Sequence, residues 1–325
     1  MSAHLTVLAT GGTIAGIAGS AIGHEYNAGE IGIDAYLEKV GGLGLSAVLS
    51  GKQIANIDSA DMGPAVWNAL YPALCDALAD QACDGVIVTH GTDTLEETAF
   101  LLDLTLPADK PVVVVGAMRP ADAVGYDGLR NFANAVRVAS DSDAAGRGVL
   151  VVMGDRVFAA RDVRKVRTRG ADAFRGFPRE SVGLVTPAAL DWFGAPWRRD
   201  PGAMFEWHDA LPPVAVAYLY AGLTVYEVAR QIGEETQGVV IAGVGEGNMP
   251  EPVRRYLADL AARGIVVVRA SRADEGLVDR EVEDGANGFV AARALNPQKA
   301  RILLQVLLAN AIRAPEEIQR AFDGR

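Results

Sequence analysis

Short runs of β-branched residues alternate along the chain with stretches in which apolar residues recur three and four positions apart, a pattern of strands alternating with amphipathic helices. In the first half, strands are expected at residues 5–9, 85–89, 111–116 and 148–153, and helices at 61–79, 94–104 and 127–140. Thr94 and Glu97 have the spacing of a capping box, which would start a helix directly after Thr89-His90-Gly91-Thr92-Asp93. From 157 to 186 the alternation shortens and fills with Arg, as in hairpins. Residues 191–213 hold Pro196, Pro201, Pro212 and Pro213 with little periodicity, and a second alternation follows. Its strands are expected at 214–218, 238–242 and 265–269, and its helices at 224–232 and 250–263. Pro250, Pro297 and Pro315 each suit a first helical turn, and Gly264 suits a helix stop. Strands separated by helices imply a mainly parallel sheet. The expectation is an α/β fold: a larger N-terminal, mainly parallel open-sheet domain at 1–192, a linker at 193–213 and a smaller C-terminal α/β domain at 214–325.

Composition narrows the partners. Half of the 325 residues are apolar and the formal charge is −11, from 30 Lys and Arg against 41 Asp and Glu. A phosphate-tracking surface needs an excess of clustered cations, so nucleic acid is not expected as a partner. Unbroken apolar stretches such as 112–115 and 214–221 fall far short of the ~18 residues of a spanning helix, so no membrane partner is expected either. Residues 1–4 lack a basic leader region. Cys75 and Cys83 match no zinc or redox spacing and read as inert thiols in a reducing compartment. His4, His24, His90 and His208 are scattered, without ligand spacing, so neither a metal nor another cofactor is expected.

Two segments carry candidate chemistry. Thr10-Gly11-Gly12-Thr13 follows the first strand, where an open α/β sheet binds ligands and where glycines let backbone approach closely. Gly11, Gly12 and Gly16 do not have the order of a dinucleotide loop. Thr89-His90-Gly91-Thr92-Asp93-Thr94 also lies where a strand gives way to a helix, with the positive end of the helix dipole toward any developing anion. Read alone, the first suits a structural turn and Asp93 suits a helix cap.

Taken together, these segments resemble the two signature motifs of the bacterial-type L-asparaginase family, homotetrameric amidohydrolases that convert L-asparagine to L-aspartate and ammonia. The resemblance extends through Val115-Gly116-Ala117-Met118-Arg119-Pro120, Arg161-Asp162-Val163-Arg164-Lys165 and the stretch from Gly288 to Arg301. It implies that Thr13 is the nucleophile forming an acyl-enzyme and that Tyr26, in a glycine-rich lid, assists it, because a threonine hydroxyl needs a partner for its proton. It also implies that Thr92, Asp93 and Lys165 form a relay that activates or positions the attacking water, a role in which lysine needs burial or a neighbouring cation. Ser59 would bind the substrate α-carboxylate and Asp93 its α-ammonium. The backbone carbonyl of Ala117 would face the leaving amide. Asn248 and Glu281 would reach into a neighbouring subunit's site, making an intimate dimer, paired into a tetramer, the working unit. His90 reads as a structural side chain behind the site.

The departures are informative. Ala60 stands where many relatives place Gln or Glu against the substrate amino group, so weak affinity or low glutaminase side activity is expected. Asp58 and Glu246 add negative charge near the inferred pocket. The disulfide of exported relatives cannot form in the same way, because Ala108 replaces its second cysteine, which favours the cytoplasm over a periplasmic location reached through a removed leader. Two alternatives share the same motifs: a non-catalytic amino-acid-binding module, and the ammonia-releasing subunit of a tRNA-linked amidotransferase. The paired threonines with Tyr26, Asp93 and Lys165 argue for catalysis, and the acidity argues against tRNA.

Overall fold

In the computed structural model, the described residues are 2–20, 27–107, 109–196 and 204–324. The chain forms two compact units, residues 1–204 and 205–325. The first is built from β1 (Ala3–Gly11), α1 (Ile33–Gly41), β2 (Ala47–Ile57), α2 (Pro64–Ala79), β3 (Gly85–Thr89), α3 (Leu95–Thr105), β4 (Val112–Val115), α4 (Gly128–Ala139) and β5 (Val149–Met153). Five short strands follow: β6 (Arg156–Ala159), β7 (Val163–Lys165), β8 (Phe174–Gly176), β9 (Gly183–Val185) and β10 (Leu190–Trp192). Eight strands form one sheet in the order β10-β9-β6-β5-β4-β3-β1-β2, and β7 pairs with β8 as a separate ribbon. β5, β4, β3, β1 and β2 are mutually parallel, whereas β6, β9 and β10 continue the sheet antiparallel.

Burial on both faces explains the valine-rich strands. Val7, Ile87, Val113 and Val115 pack on one face with Phe132 and Ala135 of α4, while Leu8, Val86, Val88, Val112 and Val114 pack on the other with Leu70 and Leu74 of α2 and Ala99 and Leu102 of α3. A parallel sheet covered in this way reads as continuous hydrophobic runs, which is how these strands stood out in the sequence. β2 did not stand out. It is an edge strand of eleven residues, none of them fully buried, and its run Ser50-Gly51-Lys52-Gln53 conceals the alternation. α1 was likewise not anticipated, since only Ile33, Tyr36 and Val40 are buried on it.

The sheet register positions the site. Ala9 lies beside Thr89 and Thr89 beside Val115, so β1, β3 and β4 end level at their carboxyl edge, and Gly11 meets Ile57 of β2 after a register shift. β1 is followed in sequence by its outer neighbour β2, and the chain then crosses to β3 on the other side of β1. That reversal is the switch point at which open α/β sheets hold ligands.

The second unit carries β11 (Val214–Tyr218), α5 (Val225–Gln231), β12 (Gly238–Gly243), α6 (Glu251–Ala262), β13 (Val266–Ser271), α7 (Val282–Asn287), β14 (Phe289–Ala291), α8 (Pro297–Ala309) and α9 (Pro315–Asp323). Its four strands are parallel in the order β11-β12-β13-β14. Arg269 of β13 is fully buried, and its guanidinium makes a two-pronged pair with Asp284 at 2.7 Å on each side. The same group donates to the carbonyls of Glu246 and Asp279, both at 2.8 Å. Asp284 in turn accepts the backbone N–H of Glu281 at the start of α7. One buried cation therefore ties two loops and a helix end together. Asp284→Ala would remove both short hydrogen bonds to that cation and leave it only the partly exposed Glu281 carboxylate at 3.8 Å, and we expect a loss of about 3 kcal/mol of stability, measurable by urea denaturation.

Candidate active site

Three loops meet at the carboxyl edge of the sheet. Thr13 opens a buried single turn of 3-10 helix, Thr13–Ala15, directly after β1. Gly12 precedes it with φ 81°, and a Cβ there would lie 2.3 Å from Gly91 N and 2.4 Å from Gly91 Cα. Gly91 packs against Ser59 in turn, since a Cβ on Gly91 would fall 2.8 Å from Ser59 Oγ. Only hydrogen side chains permit this approach. It brings Thr13, Ser59 and Thr92, all buried, to one rim.

The polar contacts knit this rim. Ser59 Oγ accepts the backbone N–H of Asp93 at 3.1 Å, which leaves the serine O–H to donate elsewhere. Thr94 Oγ1 donates to the Ser59 carbonyl at 2.7 Å. That bond corrects the expected capping box: Thr94 does precede α3, but its side chain makes no cap hydrogen bond and holds the Ser59 loop instead. Asp58 accepts the N–H of Ala60 and caps the Ser59–Asp61 turn, a local structural use for that added charge. Ala60 itself is exposed.

Lys165, at the end of β7, is 73 residues beyond Thr92 in sequence, yet its Nζ donates to Thr92 Oγ1 at 2.8 Å and to Asp93 Oδ1 at 2.5 Å. The lysine side chain is 14% exposed and the Asp93 side chain 61% exposed, so the cation is shielded while the carboxylate faces outward. Ala117 is fully buried just beyond β4. The structure thus gathers Thr13, Ser59, Thr92, Asp93, Lys165 and Ala117 around one edge. Tyr26 and Ala108 lie outside the described residues. Asn248 and Glu281 belong to the second unit, on the two segments that Arg269 ties together: Asn248 is exposed and pairs with Val244, and Glu281 caps α7.

His90 was expected behind the site, whereas its partners Trp67 and Thr98, and Asp127 and Asn131, were not singled out from the sequence. His90 is fully buried; its Nδ1 contacts the Gly91 carbonyl at 2.6 Å and its Nε2 contacts Thr98 Oγ1 at 2.9 Å. Trp67 Nε1 donates to the same hydroxyl at 3.0 Å. The directions are consistent in one way only: Trp67 donates to Thr98, Thr98 donates to Nε2, and Nδ1–H donates to Gly91. Burial pushes the His90 pKa down to about 4, which keeps the ring neutral. On the other side of the rim, Asn131 donates to the Gly116 carbonyl at 3.0 Å and Asp127 accepts the N–H groups of Met118 and Arg119. The i, i+4 spacing of Asp127 and Asn131 at the start of α4 is the sequence signal that could have flagged them. Among the described residues, no group of three or more His, Cys, Asp or Glu has the geometry to hold a metal ion.

Residues 4–198 match the family profile described as Asparaginase, N-terminal, and residues 213–322 match the profile described as Glutaminase/Asparaginase C-terminal domain. The chain is 41% identical over 325 residues to the probable periplasmic L-asparaginase of Haemophilus influenzae, covering 98% of this chain and 92% of that protein. It is also 41% identical over 328 residues to L-asparaginase 2 of Escherichia coli K12, with 98% and 92% covered. Among solved structures, a probable cytoplasmic L-asparaginase from Campylobacter jejuni superposes with a TM-score of 0.91 at 36% identity, over 99% of this chain and 100% of that one.

The buried His90 makes stability depend on pH. The unfolded chain takes up a proton at this position below about pH 6.5, whereas the native ring does so only near pH 4. The unfolded state therefore binds more protons in that window, and stability falls as pH drops through it, by up to about 3 kcal/mol from this group. In urea titrations at pH 7.5 and pH 5, His90→Gln should show a smaller acid-induced loss than the parent; an equal loss would contradict the neutral buried ring.

Proposed function

Because the chain belongs to the asparaginase family, we propose that it hydrolyses the side-chain amide of L-asparagine to L-aspartate and ammonia through an acyl-enzyme on Thr13. The observation that carries this reading is the meeting of the Thr13 turn with Ser59 and the Thr92–Asp93–Lys165 cluster at the switch point of the sheet. Thr13 Oγ1 attacks the amide carbon while its proton passes to the Tyr26 hydroxyl, which releases its own proton toward the leaving amide nitrogen. The tetrahedral adduct collapses, the C–N bond breaks and the nitrogen leaves protonated as ammonia. Water oriented by Thr92 and Lys165 then opens the ester, releasing aspartate and restoring the threonine. The head group is read by two placed groups: the Ser59 hydroxyl donates to the α-carboxylate and the Asp93 carboxylate accepts from the α-ammonium. The Ala117 carbonyl faces the leaving amide.

The rest of the assignment belongs to the same proposal. Residues 1–192 form the catalytic domain and 214–325 the second domain, with 193–213 as linker. Asn248 and Glu281 complete a neighbouring subunit's site in an intimate dimer, and dimers pair into a tetramer. Both cysteines are free thiols, which suits the cytoplasm. No helix among the described residues is long and apolar enough to cross a membrane.

Thr13→Ala should reduce ammonia release from L-asparagine by at least about a thousandfold, followed in a coupled ammonia assay. A variant with parental turnover would overturn the nucleophile, and parent protein that binds asparagine without releasing ammonia would favour a binding module.

Ala60 lacks a polar contact to the substrate ammonium, and a hydrogen bond to a charged group contributes about 1.5–3 kcal/mol. We expect kcat/KM for glutamine more than tenfold below that for asparagine, and Ala60→Gln to tighten asparagine binding about tenfold or more. Unchanged kinetics on both substrates would remove Ala60 from the account of specificity.

A further inference from the structure

The turn that carries Thr13 is held at every carbonyl. The Gly12 carbonyl accepts from Ala15 and Gly29, that of Thr13 from Gly16, that of Ala15 from Ile31 and that of Gly16 from Ala121, all through backbone N–H groups. The Ile14 carbonyl is held differently: Tyr126 Oη donates to it at 2.6 Å, from 112 residues further along the chain. Tyr126 lies in the loop between Ala117 and α4, immediately before Asp127, which accepts the N–H groups of Met118 and Arg119. The pair Tyr126-Asp127 therefore clamps the Thr13 turn to the segment that follows Ala117.

The tyrosine is set with little room to move. A Cβ on Gly128, the first residue of α4, would fall 2.2 Å from Tyr126 Oη and 2.3 Å from its Cζ, so the ring lies against bare backbone. Lys39 Nζ sits 5.3 Å from the ring centroid and donates to the Ala121 carbonyl at 3.4 Å. Behind it, the ring of the buried Tyr36 meets Phe132 edge-on with centroids 5.2 Å apart. The Tyr36 hydroxyl faces that of Tyr126 and, among the described residues, makes no hydrogen bond to the Thr13 turn. Tyr36 packs in the same core cluster as Ile14 and Ala15, whereas Tyr126 donates a hydrogen bond to a carbonyl of the nucleophile's turn.

We propose that Tyr126 is a positioning residue for the hydrolytic reaction, holding the Ile14 carbonyl so that the adjacent Thr13 hydroxyl stays aligned on the amide carbon. This inference rests on the reading of Thr13 as the nucleophile. Its hydrogen bond goes to the Thr13 turn and, among the described residues, none joins it to Ser59 or Asp93, so it acts on the alignment of attack and not on recognition of the substrate head group. Misplacement of a reacting group by about 1 Å costs on the order of a hundredfold in rate, and loss of one tether to a turn held at four other carbonyls should cost less.

The test is rapid acid quench of the full-length enzyme with L-asparagine, with the acyl adduct mapped by mass spectrometry, on the parent, Tyr126→Phe, Gly128→Ala and Tyr36→Phe. Tyr126→Phe keeps the ring and removes the donor. Gly128→Ala keeps the donor and displaces the ring. Both should slow acyl formation about tenfold while the inhibition constant for L-aspartate stays within about twofold, and Tyr36→Phe should acylate at the parental rate. With the adduct on Thr13, parental acylation in Tyr126→Phe overturns the proposal and leaves the nucleophile standing. So does aspartate binding that weakens in step with acylation, or an equal defect in Tyr36→Phe, either of which would mark a general packing role. An adduct on another residue overturns both the nucleophile and the role of Tyr126.

Discussion

The site depends on how closely three pieces of backbone approach one another. Gly12, Gly91 and Ser59 come within distances that exclude a side chain on either glycine, and Gly116 is under the same constraint, since a Cβ there would lie 2.8 Å from the His90 carbonyl and 3.0 Å from Thr92 Cγ2. Glycine serves here for proximity more than for freedom. With the strands level at their carboxyl edge, hydroxyls from loops separated by tens of residues share one rim without long side chains to bridge them. Short side chains have few rotamers, so little conformational entropy is lost in holding them ready.

Around that contact, the hydrogen bonds are arranged in layers. Ser59, Thr92, Asp93 and Lys165 contact one another at the rim. Beneath them, Trp67, Thr98 and His90 form a chain that ends on the Gly91 carbonyl, and Asn131 and Asp127 do the equivalent for Gly116 and Met118. His90 is the one aromatic base in the second motif, and burial keeps it neutral and structural. A polar group in this position is tolerated because every one of its ring nitrogens has a partner. The second unit follows the same logic with a cation, where Arg269 gathers the Glu246 and Asp279 carbonyls and the start of α7 around a buried carboxylate.

Much of the α/β architecture was legible because its strands are buried on both faces and therefore written as valine runs. β3 spans the five residues expected of it, and β11 likewise. β2 and α1 were not legible, since an exposed edge strand and a helix with three buried residues leave little apolar pattern to read. Thr94 shows a subtler limit. Its spacing from Glu97 is that of a cap, but a carbonyl 35 residues away competes for the hydroxyl and takes it.

By itself, the sequence determined the alternation of strand and helix, the two glycine-bearing turns and the set of hydroxyls, carboxylate and amine available for chemistry, because those follow from local propensity and side-chain type. Which of them meet was decided by tertiary structure alone. Lys165 reaches Thr92 through an antiparallel ribbon, and Tyr126 reaches Ile14 across a sheet edge, both set by strand register and by backbone approaches measured in tenths of an ångström. Such distances depend on the packing of the whole unit, and no window of neighbouring residues encodes them.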